Sequence, residues 1–153
     1  MNAILKYLND EDSLVRRAVA FILCRIGEKA HDAVPELILC LKHELECLKH
    51  EENTDGLWAI ASTLGRIGEK ATDAVPELIE CLKCELADVR EAAALTLGRI
   101  GEKAHEATPE LIECLKHEYV HDVQGAIVLT LEKIGEKAHD AVPKLIECLS
   151  DRY

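Results

Sequence analysis

Apolar and polar positions along this chain recur at the spacing of amphipathic helices. From Glu110 to Lys116 the run Glu-Leu-Ile-Glu-Cys-Leu-Lys places Leu111, Ile112, Cys114 and Leu115 on one helical face, and Pro109 stands where a first-turn proline is tolerated. From Ala87 to Ile100 a second face carries Val89, Ala92, Ala93, Leu97 and Ile100. Asp88 is expected at the start of this helix as its cap, and Gly101 just past its end. A link of a few residues joins the two helices, which permits only an antiparallel helical hairpin. No stretch alternates with period two, so strands are not predicted.

The hairpin is repeated. Arg-Ile-Gly-Glu-Lys-Ala occurs at Arg25 to Ala30, Arg66 to Ala71 and Arg99 to Ala104, and returns at Lys133 to Ala138 with lysine for arginine. A proline and an apolar run come after each copy, at Pro35, Pro76, Pro109 and Pro143, which marks one supersecondary unit copied along the chain. The pattern predicts first helices near 2–9, 33–51, 74–85, 107–118 and 141–150, and second helices near 13–26, 55–67, 88–100 and 122–134. The result is one all-α domain over 1–153, with repeats at 1–31, 32–71, 72–104 and 105–138 and a closing helix within 139–153.

The prolines are 41, 33 and 34 residues apart (35 to 76, 76 to 109, 109 to 143). The long interval contains Cys-Leu-Lys-His-Glu twice, at Cys40 to Glu44 and Cys47 to Glu51, so a block of seven has been duplicated and 34 plus 7 gives 41. Seven residues are nearly two turns. The insertion therefore keeps Leu41 and Leu48 on the same side and lengthens that helix by about 10 Å. Two second helices also break pattern near their starts: Gly56 stands where Val89 does, and Gln124 and Gly125 where Arg90 and Glu91 do. These turns should fray more readily.

The proline-led first helix, the Asp-Val-Arg turn, the Ala-Ala run and the Leu-Gly-x-Ile-Gly ending together resemble HEAT repeats, and more narrowly the short bacterial HEAT-like repeats of phycobilisome lyases. The resemblance covers essentially the whole chain. It implies a right-handed α-solenoid of about four and a half hairpins whose second helices line the concave side. Such a stack has an extended surface and no obligatory pocket, so binding is the expected function. The resemblance also raises an enzymatic alternative, a lyase-like subunit handling a bilin. The near-identity of the copies raises a third, a designed or consensus repeat protein without a natural partner.

Composition narrows the chemistry. The net charge is 18 minus 29, or −11, spread along the chain, which disfavours a phosphate backbone as partner. A protein partner is expected instead, a basic one included. No run of about 18 apolar residues and no secretory leader is visible, so membrane contact is not expected and the cytosol is the default location. Seven cysteines do not suggest a disulfide framework, because Cys40, Cys81, Cys114 and Cys148 occupy one equivalent helical position and read as small core residues. Cys81 and Cys84, in mid-helix, lack the second pair that a zinc site needs. No metal or other cofactor is expected.

The His-Glu pairs at His43, His50, His105 and His117 bear on a di-iron reading, since the HEAT-repeat enzyme deoxyhypusine hydroxylase builds its site from such pairs. There, as the resemblance implies, the pair lies near the start of the second helix. Here those places hold Arg17-Ala18, Trp58-Ala59, Glu91-Ala92 and Gly125-Ala126, so no ligand set converges and no catalytic residue emerges. His31, His105 and His139 alternate with Thr72 at one place before the first helices, which suggests capping of free helix-start amides. Lys29, Lys70, Lys103 and Lys137, each beside a glutamate, suggest solvated or inter-repeat pairs and not a binding site.

Aligning the second helices on Leu23, Leu64, Leu97 and Leu131 exposes the best functional signal. Two residues earlier stand Phe21, Ser62, Leu95 and Leu129; four before those stand Arg17, Trp58, Glu91 and Gly125. Positions four apart share a face, so the two sets should form adjacent rows, and the single Trp and single Phe of the chain both fall in them. Aromatic and aliphatic neighbours are the composition of protein-binding hot spots. The expected partner-binding residues are Arg17, Phe21, Trp58, Ser62, Glu91, Leu95 and Leu129. The competing reading is that Phe21, Leu95 and Leu129 merely deepen the core and that Trp58 packs under the long first helix at 33–51. Apolar residues near both termini leave two further readings open, end-to-end self-association or excision from a longer array.

Overall fold

The computed structural model describes residues 2–47, 55–135, 139 and 142–150. Nine α-helices lie within them: α1 (Asn2–Leu5), α2 (Ser13–Ile26), α3 (Val34–Cys47), α4 (Asp55–Ile67), α5 (Val75–Leu82), α6 (Ala87–Ile100), α7 (Thr108–His117), α8 (His121–Ile134) and α9 (Val142–Ser150). Helices and turns account for the described residues, without a strand. The second helices stack as one layer, α2 on α4, α4 on α6 and α6 on α8, while α3, α5, α7 and α9 form the other. Each hairpin buries its apolar stripe between these layers, the α-solenoid arrangement.

The core lies on the predicted faces. Leu23, Leu64 and Leu97 from the second helices and Leu37, Leu78 and Leu111 from the first are fully buried, each contributing roughly 1.5–3 kcal/mol by leaving water. Four glycines, Gly27, Gly68, Gly101 and Gly135, have φ of 65 to 74° and stop the second helices, because an L side chain rarely adopts that conformation.

The segments beyond the first three of these glycines are helical, not loop. Gly27–Ala33, Gly68–Ala74 and Gly101–Ala107 are 3₁₀ helices, so each of these repeats carries a third short helical segment. Its alanines, Ala30 and Ala33 with their equivalents Ala71, Ala74, Ala104 and Ala107, are buried at the i, i+3 spacing that a 3₁₀ turn brings onto one side. The capping expectation for His31, His105 and Thr72 is corrected in direction. Thr72 Oγ1 donates to the Glu69 carbonyl at 2.6 Å, and the Nδ1 atoms of His31 and His105 each lie 3.2 Å from the carbonyl three residues earlier. Histidine and threonine exchange here because either can donate to a carbonyl left over by the tight turn.

Two helix ends also differ from expectation. α5 ends at Leu82, short of 85, so Cys84 lies in the turn and not in mid-helix. Asp88 does not cap α6. The residue before the helix is Leu86 in extended conformation, half-buried against the core, and Asp88 sits inside the first turn, where its charge complements the helix dipole. In α2 the expected chemistry does occur, with Asp12 accepting from the Leu14 amide at 2.8 Å.

An arginine, buried at 16 and half-buried at 90, ties alternate hairpins to the next first helix. Arg90 donates to both carboxylate oxygens of Glu118, at 2.6 and 3.0 Å, and to the Cys84 and Glu85 carbonyls. Arg16 likewise donates through Nε to Glu44 Oε1 and through Nη1 to the Asp10 and Glu11 carbonyls. The pairing shows which half of the duplication keeps the parental register. Glu44 occupies the place of Glu118 and Cys40 is buried like Cys81, so Cys40 to Glu44 is the original block. α3, at 14 residues, is longer than α5 at 8 and α7 at 10; the remainder of the second copy, with His50, lies outside the described residues. Gly56 has a packing reason, since a Cβ there would stand 2.6 Å from a carboxylate oxygen of Glu44.

Candidate protein-binding face

Each second helix presents one side to its neighbour and another to solvent, and the two sides are built differently. In the register of Leu23, Leu64, Leu97 and Leu131, the residue one earlier is Thr63, Thr96 or Thr130 in the later units. Each hydroxyl lies between two carbonyls, one in its own helix and one in the helix before. Thr63 Oγ1 is 2.7 Å from Ala59 O and 2.9 Å from Ala20 O; Thr96 is 2.7 Å from Ala92 O and 2.9 Å from Ala61 O; Thr130 is 2.8 Å from Ala126 O and 2.6 Å from Ala94 O. Such an approach needs small residues opposite. Gly98 supplies one, where a Cβ would fall 2.8 Å from Thr130 Oγ1, and Gly65 another, where it would fall 3.1 Å from Arg99 Cδ.

These seams fix where the next side chains point. Phe21, Trp58, Leu95 and Leu129 are held out from α2, α4, α6 and α8 with 38–52 % of their surface exposed. The alternative that they deepen the core does not describe this arrangement. Phe21 and Trp58, on adjacent helices, bring their rings together with centroids 6.1 Å apart and planes tilted by 49°. Arg17, Ser62 and Glu91 are half-buried between the helices, and Gly125 is exposed. Arg17 reaches across to Asp55, its Nη1 at 2.5 Å from Oδ2, so this expected contact residue is engaged by the neighbouring helix. The pair is largely solvated and contributes at most about 1 kcal/mol.

Two charged rows flank the apolar one, and the hydrophobic pattern of the sequence does not single them out. Asp55, Asp88 and Asp122 lie in the first turns of α4, α6 and α8, while Arg25, Arg66, Arg99 and Lys133 lie in the last turns of α2, α4, α6 and α8. All seven are exposed. The signal is present in the chain as acid-first, base-last helices, which is normally read as compensation of the helix dipole. Stacked in register, the same residues become an acidic and a basic border to an apolar floor.

The remaining chemical candidates behave as structural groups. Burial pushes the thiols of Cys40 and Cys81 up to about 12 and that of Cys114 up to about 11, so they are not thiolates near neutrality. The described cysteines are free, and no group of three or more His, Cys, Asp or Glu side chains among the described residues could hold a metal ion. His43, His105 and His117 are exposed, and His117 Nε2 lies 3.2 Å from Glu113 one turn earlier. Lys70 pairs with Glu28 at 3.1 Å and Lys103 with Glu69 at 3.4 Å, linking successive repeats as expected. No helix among the described residues is long and apolar enough to cross a membrane.

Comparison with known proteins matches the family model described as HEAT repeats over residues 41–132 and 75–153, and the HEAT repeat model over 1–30. No curated protein sequence matches significantly. Among solved structures the chain is similar to two engineered proteins, at 20 % identity with a TM-score of 0.73 (95 % of this chain, 68 % of that one) and 19 % with 0.67 (95 % and 66 %). It is also similar to a chain of the CpcE and CpcF complex of phycocyanin lyase from Nostoc sp. PCC7120, at 29 % identity and a TM-score of 0.77, where 96 % of this chain matches 56 % of the other. It thus spans little more than half the length of that lyase chain.

Proposed function

We propose that this chain, which belongs to the HEAT-repeat family, is a non-enzymatic scaffold that binds a protein partner on the solvent side of its second helices. One observation carries the reading: Phe21, Trp58, Leu95 and Leu129 stand exposed, in two adjacent rows, on helices whose mutual seams are buried. Large apolar side chains held rigidly in water by a packed scaffold are the usual anchors of a protein interface. The acidic border of Asp55, Asp88 and Asp122 and the net charge of −11 favour a partner with basic residues beside its apolar contacts. The free thiols fit a reducing compartment such as the cytosol.

Capture from cell lysate by the full chain, repeated with Trp58→Ala and Leu95→Ala together, tests the reading. The double variant should lose the partner while keeping its helical signal. Retention of the same partner by a folded double variant removes this face from the function. A lyase-like role is the second reading, favoured by the 29 % likeness to the phycocyanin lyase chain. It requires the chain, or the chain with a companion subunit, to hold a bilin, so a red-shifted, intensified bilin absorbance on mixing would replace the scaffold reading.

A further inference from the structure

The inner second helices leave one narrow stripe in water. Along α6 the exposed residues are Asp88, Leu95 and Arg99, with Glu91 half-buried among them; along α4 they are Asp55, Trp58 and Arg66, with Ser62 half-buried. Each stripe runs acid, apolar, base from the start of its helix to the end, and stacking repeats that order from helix to helix. The basic end is unsatisfied. In a chain with 29 acidic and 18 basic residues, bases on other faces find carboxylates, as Lys42 does with Glu77, Lys70 with Glu28 and Lys103 with Glu69. Among the described residues, none pairs with Arg25, Arg66 or Arg99, although these lie in the last turns of three successive helices. Asp88 and Asp122 on the other border are unpaired in the same sense, while Asp55 is held by Arg17. Compensation of the helix dipole accounts for a charge at each end, but not for the large apolar side chains exposed between them.

We infer, resting on the partner-binding reading, that the occupant of this face is an amphipathic α-helix of the partner protein, lying across α2, α4, α6 and α8. Its apolar stripe covers Phe21, Trp58, Leu95 and Leu129. Carboxylates line the flank over Arg25, Arg66, Arg99 and Lys133, and bases line the flank over Asp88 and Asp122. Width selects a helix. Asp88 and Arg99 are 99 minus 88, or 11, residues apart, about 16 Å along the axis of α6, and a helix with its side chains is about 10–12 Å across, so its flanks reach both borders at once. An extended strand sends its side chains in only two opposite directions, toward the array and away from it, and has none to spare for the borders. Three chemistries on three sides need the helical period.

Length and direction follow. Packed helices lie about 8–10 Å apart, so four of them span about 24–30 Å, or roughly 16–20 residues of a helix that rises about 1.5 Å per residue. The floor has room for its anchors: a Cβ at Gly125, one turn before Leu129, would meet nothing within 4 Å. Turning the partner helix end for end exchanges its flanks and sets like charge against like, so the two borders select one direction. A nucleic acid would satisfy the arginines but be repelled by Asp55, Asp88 and Asp122 on the same stripes.

The probe is a synthetic helical peptide of roughly 18 residues, with blocked ends and no tryptophan, bearing leucines along one stripe, glutamates along one flank and lysines along the other. Anisotropy of the labelled peptide, titrated with the full chain, should show saturable one-to-one binding, and the emission of Trp58, the single tryptophan, should move to shorter wavelength as the indole is covered. A peptide of the same composition with glutamates and lysines mixed over both flanks should bind at least about 10-fold more weakly. Arg66→Glu with Arg99→Glu should weaken the sorted peptide at least about 10-fold, and a peptide with lysine in place of its glutamate flank should bind that variant better than it binds the parent chain. Arg66→Gln with Arg99→Gln, which adds no repulsion, should weaken the sorted peptide about 3-fold. Both arginines are exposed, so circular dichroism should report folded variants. Absence of saturable binding, equal binding of sorted and mixed peptides, or indifference to both arginine pairs overturns the inference. Partner capture that still depends on Trp58 and Leu95 would then leave the binding face standing without a helical occupant, so the two failures are distinguishable.

Discussion

The seam side and the solvent side of the second helices share the same backbone and the same repeat, yet they differ in how the copies relate. Across the seams the residues agree almost to identity, threonine at 63, 96 and 130 and glycine at 65 and 98, because one hydroxyl must reach a carbonyl of the preceding helix and one Cβ must be absent. On the solvent side the equivalents are Phe21, Ser62, Leu95 and Leu129, which range from a hydroxymethyl group to an aromatic ring. Packing explains the first set completely and the second not at all. A position that the fold leaves free, and that nevertheless carries large apolar groups, is where a partner would leave its mark.

The constrained side should respond most severely where a buried tie is removed. Arg90→Met takes the guanidinium from the buried Glu118 carboxylate, to which the amides of Tyr119 and Val120 also donate. Loss of one member of a buried pair costs about 3 kcal/mol, a fall in melting temperature of roughly 6–12 °C for a chain of this size. The hydrogen bond from Arg90 holds the Glu118 carboxyl below its ordinary value of 4.5. The stability it contributes is therefore present above that pH and lost as the pH falls through the lowered value. Thermal melts from pH 6 down to pH 3 should show the parent chain and the Arg90→Met variant converging at the acid end.

Next in size is the seam itself. Gly98→Ala puts a methyl group 2.8 Å from Thr130 Oγ1 and 3.3 Å from Thr130 Cα, and the second of these is backbone that cannot rotate away. Despite the better helix propensity of alanine, urea unfolding should show a loss of about 2 kcal/mol. Gly125→Ala is the control on the open side. Nothing lies within 4 Å of a Cβ there, so the propensity term acts alone and the same titration should show a gain of about 0.5–1 kcal/mol. Equal effects at the two glycines would mean that the α6–α8 seam is too loose for the missing Cβ to matter.

Legibility from residues alone divides along the same line. Helix identity was legible because it is local: the second helices at 13–26 and 55–67 begin and end as the periodicity predicts. The segments after each glycine were not, since Glu-Lys-Ala-His-Asp has no pattern that separates a 3₁₀ turn from a loop, and only the burial of Ala30 and Ala33 by other helices selects it. The threonine column could be seen, but not its acceptors, which exist only once the neighbouring helix has approached. Arg16 and Arg90 could not be matched to Glu44 and Glu118, 28 residues away in each case, without the stacking. Rows survived translation into structure because they need only a constant register. The charged borders were missed because each residue, taken by itself, looks like a helix-end charge.

The mildest substitution is the most discriminating. Leu95→Ala removes a side chain that is already 38 % exposed and sits outside the seam, so unfolding by urea should change by no more than about 1 kcal/mol, well under the cost of truncating its buried neighbour Leu97. Helix propensity barely differs between the two residues and cannot mask the result. If Leu95→Ala instead costs as much as a core leucine, Leu95 holds the fold together, and the contrast between a constrained seam and a free solvent row fails at its centre. If the cost is small and partner capture still falls, the side chain has an effect on binding that its effect on stability cannot explain, which is the behaviour expected of a contact residue and not of a packing one.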